Sequence, residues 1–224
     1  MTAVATVFRV ATTRAGQIAQ EILGPAFGGR LVTDRYAGYN FVDVHRRQVC
    51  WAHLLRDLMG MTERDDVGAA LAAEMLLEVD KMLEWWKRIR DGTLSRPEFR
   101  KLMEPVRARV KELLLESSTT AAKKTAGMCQ KILDLEPALW TFVDVEGIEP
   151  TNNAAEQAVR PAVLWRKGSF GNDSETGSRF TERILTAIAT VRQHQHSVLD
   201  YLLEACVAFR SGQPTPSLIA HALE

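Results

Sequence analysis

The chain has 224 residues, of which 46% are hydrophobic and 25% are charged, and this balance is typical of a globular protein with a buried core. It excludes a disordered, collagen-like or disulfide-rich chain, and no apolar run approaches the roughly 18 residues of a membrane span. The formal net charge is zero, so a nucleic-acid-binding role requires an uneven distribution of charge along the chain.

The cellular compartment is indicated by the N-terminus and by the cysteines. No basic segment followed by an apolar one opens the chain, so the sequence predicts no signal peptide. The three cysteines, Cys50, Cys129 and Cys206, are odd in number and far apart, which favours a reducing compartment over a disulfide framework. We therefore expect a cytoplasmic protein.

Positive charge is concentrated in the middle of the chain. Residues 81 to 131 hold 13 Lys/Arg and 6 Asp/Glu, a net charge of +7. The flanking segments 61 to 80 and 132 to 150 each carry a net charge of −5. Two interpretations fit this pattern equally well: a phosphate-facing surface, or a solvated helix face with ordinary ion pairs between residues four apart.

The first sixty residues alternate between strand and helix patterns. Alternating small and β-branched residues predict a strand over 2 to 11, and apolar spacing predicts a short helix over 14 to 24. A second apolar run predicts a strand that ends at Asp34. Residues 47 to 51 predict another strand, which leads into a helix over 52 to 61. This alternation favours an α/β fold.

From residue 65 to about residue 135 the pattern is wholly helical. Apolar residues at helical spacing predict a first helix that ends at Ile89. The sequence Ser95-Arg96-Pro97-Glu98 is a capping box with proline in the first turn, so it predicts the start of a second helix. A third helix is predicted over 119 to 135.

The last third of the chain is predicted to be helical as well. A helix that carries Glu156 is followed by a glycine-rich connection over 168 to 177. The next helix is predicted over 178 to 193, with a buried face formed by Phe180, Ile184, Ile188 and Val191. A final helix is predicted over 197 to 209, and the tail from residue 211 onward is expected to be loosely ordered.

Asp34 and Glu156 are the carboxylates that suggest chemistry. Two-metal phosphodiester cleavage needs oxygen ligands held rigidly, and Mg²⁺ prefers carboxylates and water. A structural role is the alternative for each: Asp34 as a turn-initiating aspartate, and Glu156 as the second half of a capping box with Asn153 or as an ion-pair partner of Arg160. Local patterns alone favour the structural roles.

Four blocks of sequence resemble, in order, the insertion sequence 66 family of bacterial transposases. The resemblance extends from about residue 30 to residue 202, and its blocks are Leu31-Val32-Thr33-Asp34-Arg35-Tyr36-Ala37-Gly38-Tyr39-Asn40, Cys50-Trp51-Ala52-His53-Leu54-Leu55-Arg56-Asp57, residues 150 to 161, and Arg166-Lys167-Gly168-Ser169-Phe170-Gly171. The resemblance implies a DDE-type transposase with a ribonuclease-H-like α/β core and an all-α insertion. It implies that Asp, Asp and Glu bind two Mg²⁺ ions for DNA cleavage and strand transfer.

The resemblance assigns Asp34 to the second aspartate and Glu156 to the glutamate, as catalytic and metal-binding residues. In the family the first catalytic aspartate lies on an upstream strand, but this chain has no aspartate before Asp34. We therefore expect a C-terminal fragment whose N-terminal core is incomplete, whose Mg²⁺ binding is weakened and which is inactive or nearly so alone. Whether Met1 is the true start is left open.

Several further residues are candidates for contact with DNA. The resemblance suggests a role near the active site or DNA for His53. A zinc site built on Cys50 and His53 is the less favoured alternative, because it needs two more ligands. Arg160, Arg166 and Lys167 follow Glu156 and are candidates for phosphate contacts, with solvated helix charges as an equal alternative.

The domain organisation expected from the resemblance has four parts. They are the first part of the core over 1 to 60, the helical insertion over 61 to 131, the second part of the core over 132 to 196, and a C-terminal helix and tail over 197 to 224. The predicted function is DNA transposition, with transposon-end DNA, full-length transposase and element-encoded accessory proteins as partners, and no membrane. The alternatives are a non-catalytic DNA- or transposase-binding regulator and a decayed remnant. A cytoplasmic, nucleoid-associated location is expected.

Overall fold

The computed structural model describes residues 1 to 219, so the last five residues of the predicted tail lie outside the described residues. The chain divides into two compact units. Residues Ala15–Asn152 form one, here called the sheet unit, and Met1–Arg14 with Asn153–Glu224 form the other, here called the terminal unit. Most of the described secondary structure is helical.

The sheet unit contains two short parallel strands, β1 (Leu31–Thr33) and β2 (Arg47–Val49), preceded by helix α1 (Gly16–Leu23). The register pairs Val32 with Gln48. Two short 3-10 turns, Ala37–Tyr39 and Val44–Arg46, occupy the connection between the strands. The predicted strands that end at Asp34 and begin at Arg47, and the short helix before them, are therefore confirmed. Within residues 1 to 219 the sheet has only these two strands, so the α/β part of the fold is smaller than the alternating pattern predicts.

Long helices fill the rest of the sheet unit, as the sequence predicts. They are α2 (Trp51–Thr62), α3 (Gly68–Arg90), α4 (Arg96–Ser118) and α5 (Lys123–Leu133). The predicted capping box begins α4: Ser95 Oγ accepts a hydrogen bond from Glu98 N at 3.4 Å, and Glu98 Oε2 accepts one from Ser95 N at 3.2 Å. The predicted third helix starts four residues later than expected and ends two earlier.

A single hydrophobic core joins these helices to the sheet. Trp86 on α3 lies between Phe99 on α4 and Phe142, at ring-centroid distances of 5.9 and 5.3 Å. The Trp51 and Trp140 rings lie 5.1 Å apart. Large buried aromatic side chains of this kind supply much of the favourable burial in a core.

A short segment made of the 3-10 turn Glu136–Leu139 and helix α6 (Thr141–Asp144) packs against β2. Gln48 is buried and forms two hydrogen bonds with this segment. Its Nε2 donates to Leu139 O at 3.0 Å, and its Oε1 accepts from Phe142 N at 2.9 Å. Trp51 Nε1 also donates to Leu139 O, at 2.8 Å. The segment is therefore anchored where β2 runs into α2.

The terminal unit contains helices α7 (Asn153–Ser169), α8 (Glu175–Gln193) and α9 (Val198–Arg210). Ser174 and Ser197 cap α8 and α9, because their hydroxyls accept the N–H groups of Gly177 and Asp200. The glycine-rich connection is shorter than predicted, since α7 continues through Gly168. No helix among residues 1 to 219 combines the length and the apolar character that a membrane span requires.

The predicted strand over residues 2 to 11 is wrong. This segment has no strand assignment, and α8 binds its backbone instead. Alternate N–H groups donate to side chains of α8: Thr6 N to Thr190 Oγ1 (3.2 Å), Phe8 N to Thr186 Oγ1 (3.0 Å) and Val10 N to Glu182 Oε1 (2.8 Å).

One face of α8 also differs from its prediction. Val191 is buried, at 3% exposure, but Phe180 is 66% exposed. The polar side chains Thr181 and Thr190 are buried in its place, and the latter binds the N-terminal segment.

Candidate functional site

Asp34 directly follows β1 in the sheet unit and begins a tight turn. Its Oδ1 accepts a hydrogen bond from Tyr36 N at 3.0 Å, which is the geometry of a turn-initiating aspartate. The neighbouring Arg35 forms an ion pair with Asp57 of α2. Asp34 is therefore held at the carboxyl end of a strand, the end of parallel strands at which ligands bind in α/β proteins.

A buried arginine lies beneath this turn. Arg47, the first residue of β2, is 1% exposed and donates from its guanidinium to Asn40 Oδ1 at 3.0 Å and to Thr33 Oγ1 at 3.4 Å. Burial lowers the pKa of Arg47, and the negative charge of Asp34 acts in the opposite direction. Arg47 thus places positive charge near Asp34. Sequence reasoning missed Arg47, because the burial of this strand becomes visible only in the structure.

The turn after Asp34 depends on a glycine. A Cβ on Gly38 would lie 2.2 Å from Cε1 of Tyr36, and a Cβ on Gly16 of α1 would lie 2.6 Å from the carbonyl oxygen of Gly38. The rings of Tyr36 and Tyr39 meet edge to face at 5.9 Å. This close approach explains the Tyr-x-Gly-Tyr pattern after Asp34 as a packing requirement.

The second strand is followed by Cys50, which is fully buried and directly precedes α2. Cys50 N donates to Thr33 O at 2.7 Å, so the end of β2 lies directly beside the residue that precedes Asp34. His53 lies in the first turn of α2, half-buried, and its backbone N–H binds Cys50 O at 3.2 Å. The structure therefore brings the segments of Asp34, Cys50 and His53 together.

Residues 150 to 152 reach the same place. Pro150 O accepts a hydrogen bond from Trp51 N at 2.9 Å, and Asn152 N donates to Cys50 Sγ at 3.4 Å. The thiol of Cys50 thus binds the backbone of this segment. Asn152 Oδ1 is buried without a hydrogen-bond partner among residues 1 to 219, which is rare for a buried polar atom. Sequence reasoning did not select Asn152, although it lies within the third resembling block.

Glu156 and the basic candidates belong to the terminal unit and share helix α7. Glu156, Arg160 and Lys167 are exposed, and rotation by about 100° per residue places them within about 40° of one another on one face. Arg166 is exposed on a neighbouring face. One carboxylate and two cations therefore occupy a single surface of this helix.

Four arginines of the basic segment over 81 to 131 have structural contacts. Three arginines of α4 bind main-chain carbonyls around α6: Arg96 to Phe142 O (2.8 Å), Arg100 to Asp144 O (2.9 Å) and Arg107 to Trp140 O (3.3 Å). Arg109 forms ion pairs with Glu74 and Glu112. Most of the other Lys/Arg of this segment are exposed, so both interpretations of its positive charge stay predictions.

The donor chemistry of the two carboxylates suits Mg²⁺, which takes oxygen ligands. No group of three or more His, Cys, Asp or Glu side chains able to hold a metal ion occurs among residues 1 to 219. Asp34 lies in the sheet unit and Glu156 in the terminal unit, and the Mg²⁺ site that the resemblance implies for them stays a prediction.

Comparison with known proteins identifies the family. The model of the family described as "Transposase IS66 family" matches residues 2–180. No curated protein and no solved structure matches the chain. The matched range begins before the first resembling block and includes the strand ends, Asp34, the junction at Cys50 and helix α7. Because it covers well over half of the 224 residues, the chain belongs to the IS66 family of transposases.

Proposed function

We propose that this chain acts in DNA transposition through a DDE-type site in a ribonuclease-H-like core, in which Asp34 and Glu156 are metal ligands. The observation that supports this most strongly is the junction at the strand ends. Three blocks far apart in sequence meet there through the hydrogen bonds of Cys50 N to Thr33 O and Asn152 N to Cys50 Sγ. A rigid frame of this kind is what a metal-dependent phosphoryl-transfer site requires.

The residues of the chain have distinct tasks in this proposal. Asp34 presents a carboxylate held by the turn that Tyr36 N closes, and Glu156 presents a second one from the first turn of α7. Arg160 and Lys167, on the face of Glu156, position DNA phosphates. His53, in the first turn of α2, contacts DNA. Bound Mg²⁺ would activate the attacking oxygen and stabilise the leaving one.

The 224-residue chain by itself is expected to be inactive or nearly so. The resemblance assigns Asp34 and Glu156 to a site that uses three metal-bridging carboxylates, and two of the three bind metal more weakly and hold the in-line geometry of the reaction less well. A second candidate function is that of a non-catalytic product that binds DNA or full-length transposase and regulates it. Element-encoded accessory proteins remain predicted partners, and the nucleoid remains the predicted location.

The assignment of Asp34 and Glu156 as metal ligands is tested by titrating the purified chain with Mn²⁺ and measuring the heat of binding by calorimetry. Asp34→Asn and Glu156→Gln should each weaken Mn²⁺ binding at least tenfold, since each removes a charged oxygen ligand. Asp173→Asn and Glu204→Gln, two exposed carboxylates of the terminal unit, are the controls and should leave binding unchanged. Equal Mn²⁺ affinity in wild type and both site variants would refute the assignment.

Catalysis and binding are separated by two assays on the same protein. We expect salt-dependent binding to a 30-base-pair duplex, but no nicking or strand transfer on supercoiled plasmid in Mg²⁺ or Mn²⁺. Metal-dependent strand transfer that Glu156→Gln abolishes would show that the chain is catalytically competent alone. Absence of DNA binding in wild type would count against both candidate functions that involve DNA.

A further inference from the structure

Helix α7 ends at an exposed aromatic side chain. Phe170 directly follows the last helical residue, Ser169, and is 97% exposed, the highest exposure of any large hydrophobic residue among those that the structure describes. Its φ is 60°, in the left-handed region that bulky residues rarely adopt. Such a conformation costs on the order of 1 kcal/mol or more.

The ring has no role in folding that would offset this strain. A phenyl ring that is 97% exposed contributes almost no burial. Its neighbour Gly171 also has a positive φ, of 98°, and a Cβ there would meet nothing within 4 Å. The loop is therefore open, and glycine at position 170 would satisfy the same backbone without strain.

Cations lie close to Phe170 in the sequence. Arg166 and Lys167 precede it by four and three residues, Arg160 lies about two turns earlier, and Asp173, three residues later, is the nearest acidic residue in sequence. Cations in the last turn of a helix stabilise its dipole, which accounts for the positions of Arg166 and Lys167. It does not account for Arg160, two turns earlier, or for the aromatic ring beyond the helix end.

We propose that Phe170 stacks on an unpaired base of the DNA substrate, while Arg166 and Lys167 contact the flanking phosphates. This rests on the proposed DNA-binding function and names a residue that distinguishes unpaired from paired DNA. Exposed aromatic rings beside cations bind single strands in this way, because every base offers a π-face and every nucleotide a phosphate. A hydrophobic site on a protein partner would not need the cations beside the ring.

The position of the ring defines a suitable probe. Phe170 lies 14 residues after Glu156, or about 20 Å along a helix with a rise of 1.5 Å per residue. A ligand that reaches both residues therefore spans about six nucleotides at 3.4 Å per step. The matched probes are a fluorescent 20-base-pair duplex with blunt ends and the same duplex with an eight-nucleotide single-stranded tail.

The experiment measures binding of both probes by anisotropy, with the full 224-residue chain and its variants. Phe170→Ala should weaken binding of the tailed duplex about tenfold and change binding of the blunt duplex less than twofold. Phe170→Tyr should keep the preference for the tail. Phe209→Ala is the control, because Phe209 on α9 is 84% exposed in the same unit, and it should change neither affinity.

The outcomes separate this inference from the proposed function. If wild type binds DNA but Phe170→Ala changes both affinities equally or neither, stacking is refuted and DNA binding stands. If Phe209→Ala reproduces the selective loss, the effect is general hydrophobic adhesion and stacking at Phe170 is refuted. If wild type binds neither probe, the DNA-binding function fails and this inference fails with it.

Discussion

At the residue scale, an unusual feature is the buried guanidinium of Arg47, which lies close to the candidate metal ligand Asp34. Arg47 is 1% exposed and is satisfied by Asn40 and Thr33, so it ties the connection between the strands to the strands themselves. Its Nε is buried without a hydrogen-bond partner among the described residues. Desolvation of a cation is expensive, and the charge of Asp34 compensates part of it. Asp34 therefore helps to stabilise the charged form of Arg47.

Substitution of Arg47 by methionine should destabilise the chain by about 2 to 4 kcal/mol, since it leaves buried oxygen acceptors without donors. Urea denaturation followed by circular dichroism measures the change. The neighbouring Arg46→Met is the control, because Arg46 is exposed, and it should shift stability by less than about 0.5 kcal/mol. An Arg47→Met protein as stable as wild type would show that desolvation cancels the benefit of these hydrogen bonds.

At the scale of elements, helix α8 replaces the expected partner of the N-terminal segment. Thr190 is fully buried and binds Thr6 twice, accepting from its N–H and donating to its carbonyl oxygen, both at 3.2 Å. Gln193 extends the contact by donating to Thr2 O and Ala3 O, each at 2.8 Å. Polar side chains of a helix thus satisfy a backbone that a second strand would otherwise pair.

Thr190→Val should loosen this segment specifically. The valine keeps the shape of threonine but leaves the buried N–H and C=O of Thr6 unpaired, at about 1 to 3 kcal/mol. Hydrogen exchange measured on peptides should show faster exchange over residues 2 to 10 and no change in α3 to α5. Thr176→Val, at an exposed position in the first turn of α8, should exchange as wild type does. Unaltered exchange near Thr6 in Thr190→Val would mean that the hydrogen bonds do not hold the segment.

The elements that could be predicted are those whose signals are local. The capping box at Ser95 and the apolar stripes of α3 and α4 are properties of neighbouring residues, and the structure has both. The segment over 2 to 11 has the alternation of a strand, but alternation does not say whether its backbone partner is a strand or a row of side chains. Phe180 was misplaced for a related reason, since the side of α8 that is buried is set by the segment bound to it.

At the scale of the whole molecule, the distribution of charge changes meaning once the contacts are known. The segment with a net charge of +7 directs Arg96, Arg100 and Arg107 to main-chain carbonyls. Arg160, Arg166 and Lys167 on α7 are exposed, and so are most Lys/Arg of the basic segment over 81 to 131. Exposed cations that could contact phosphates therefore occur in both places, and a measurement of salt dependence distinguishes them.

The salt dependence of DNA binding should show which cations contact phosphates, those of α7 or those of the basic segment. Arg160→Ala, Arg166→Ala and Lys167→Ala should each reduce the slope of log K against log salt concentration by about 1, the value for one lost phosphate contact. Arg107→Ala should leave the slope unchanged, since Arg107 binds Trp140 O and Asp144. A reduced slope in Arg107→Ala and not in the α7 variants would return DNA binding to the basic segment.

The candidate site could be predicted from the sequence only in part. Resemblance selected Asp34, His53 and Glu156, and it proposed the order of the blocks. It did not show that Cys50 joins two of them through its backbone and its thiol, because such contacts depend on the packing of distant segments. Arg47 and Asn152 escaped selection since neither has a local signature of function, and the pairing of Asp34 with Glu156 stays a prediction.

The hydrogen bonds between α8 and the N-terminal segment follow a regular spacing, one for every four helix residues and every two residues of the segment. Four helical residues advance the chain by about 6.0 Å, and two extended residues advance it by about 6.4 to 6.8 Å. Side chains at every fourth helix position therefore fall out of register with alternate residues of the segment by about 0.4 to 0.8 Å at each successive hydrogen bond. The short side chains of Thr190 and Thr186 accept the first two of these hydrogen bonds. The longer side chain of Glu182 accepts the third, where the accumulated offset between helix and segment is larger. Threonines in the middle and the longer side chains of Glu182 and Gln193 at the two ends therefore let α8 secure the segment from Thr2 to Val10.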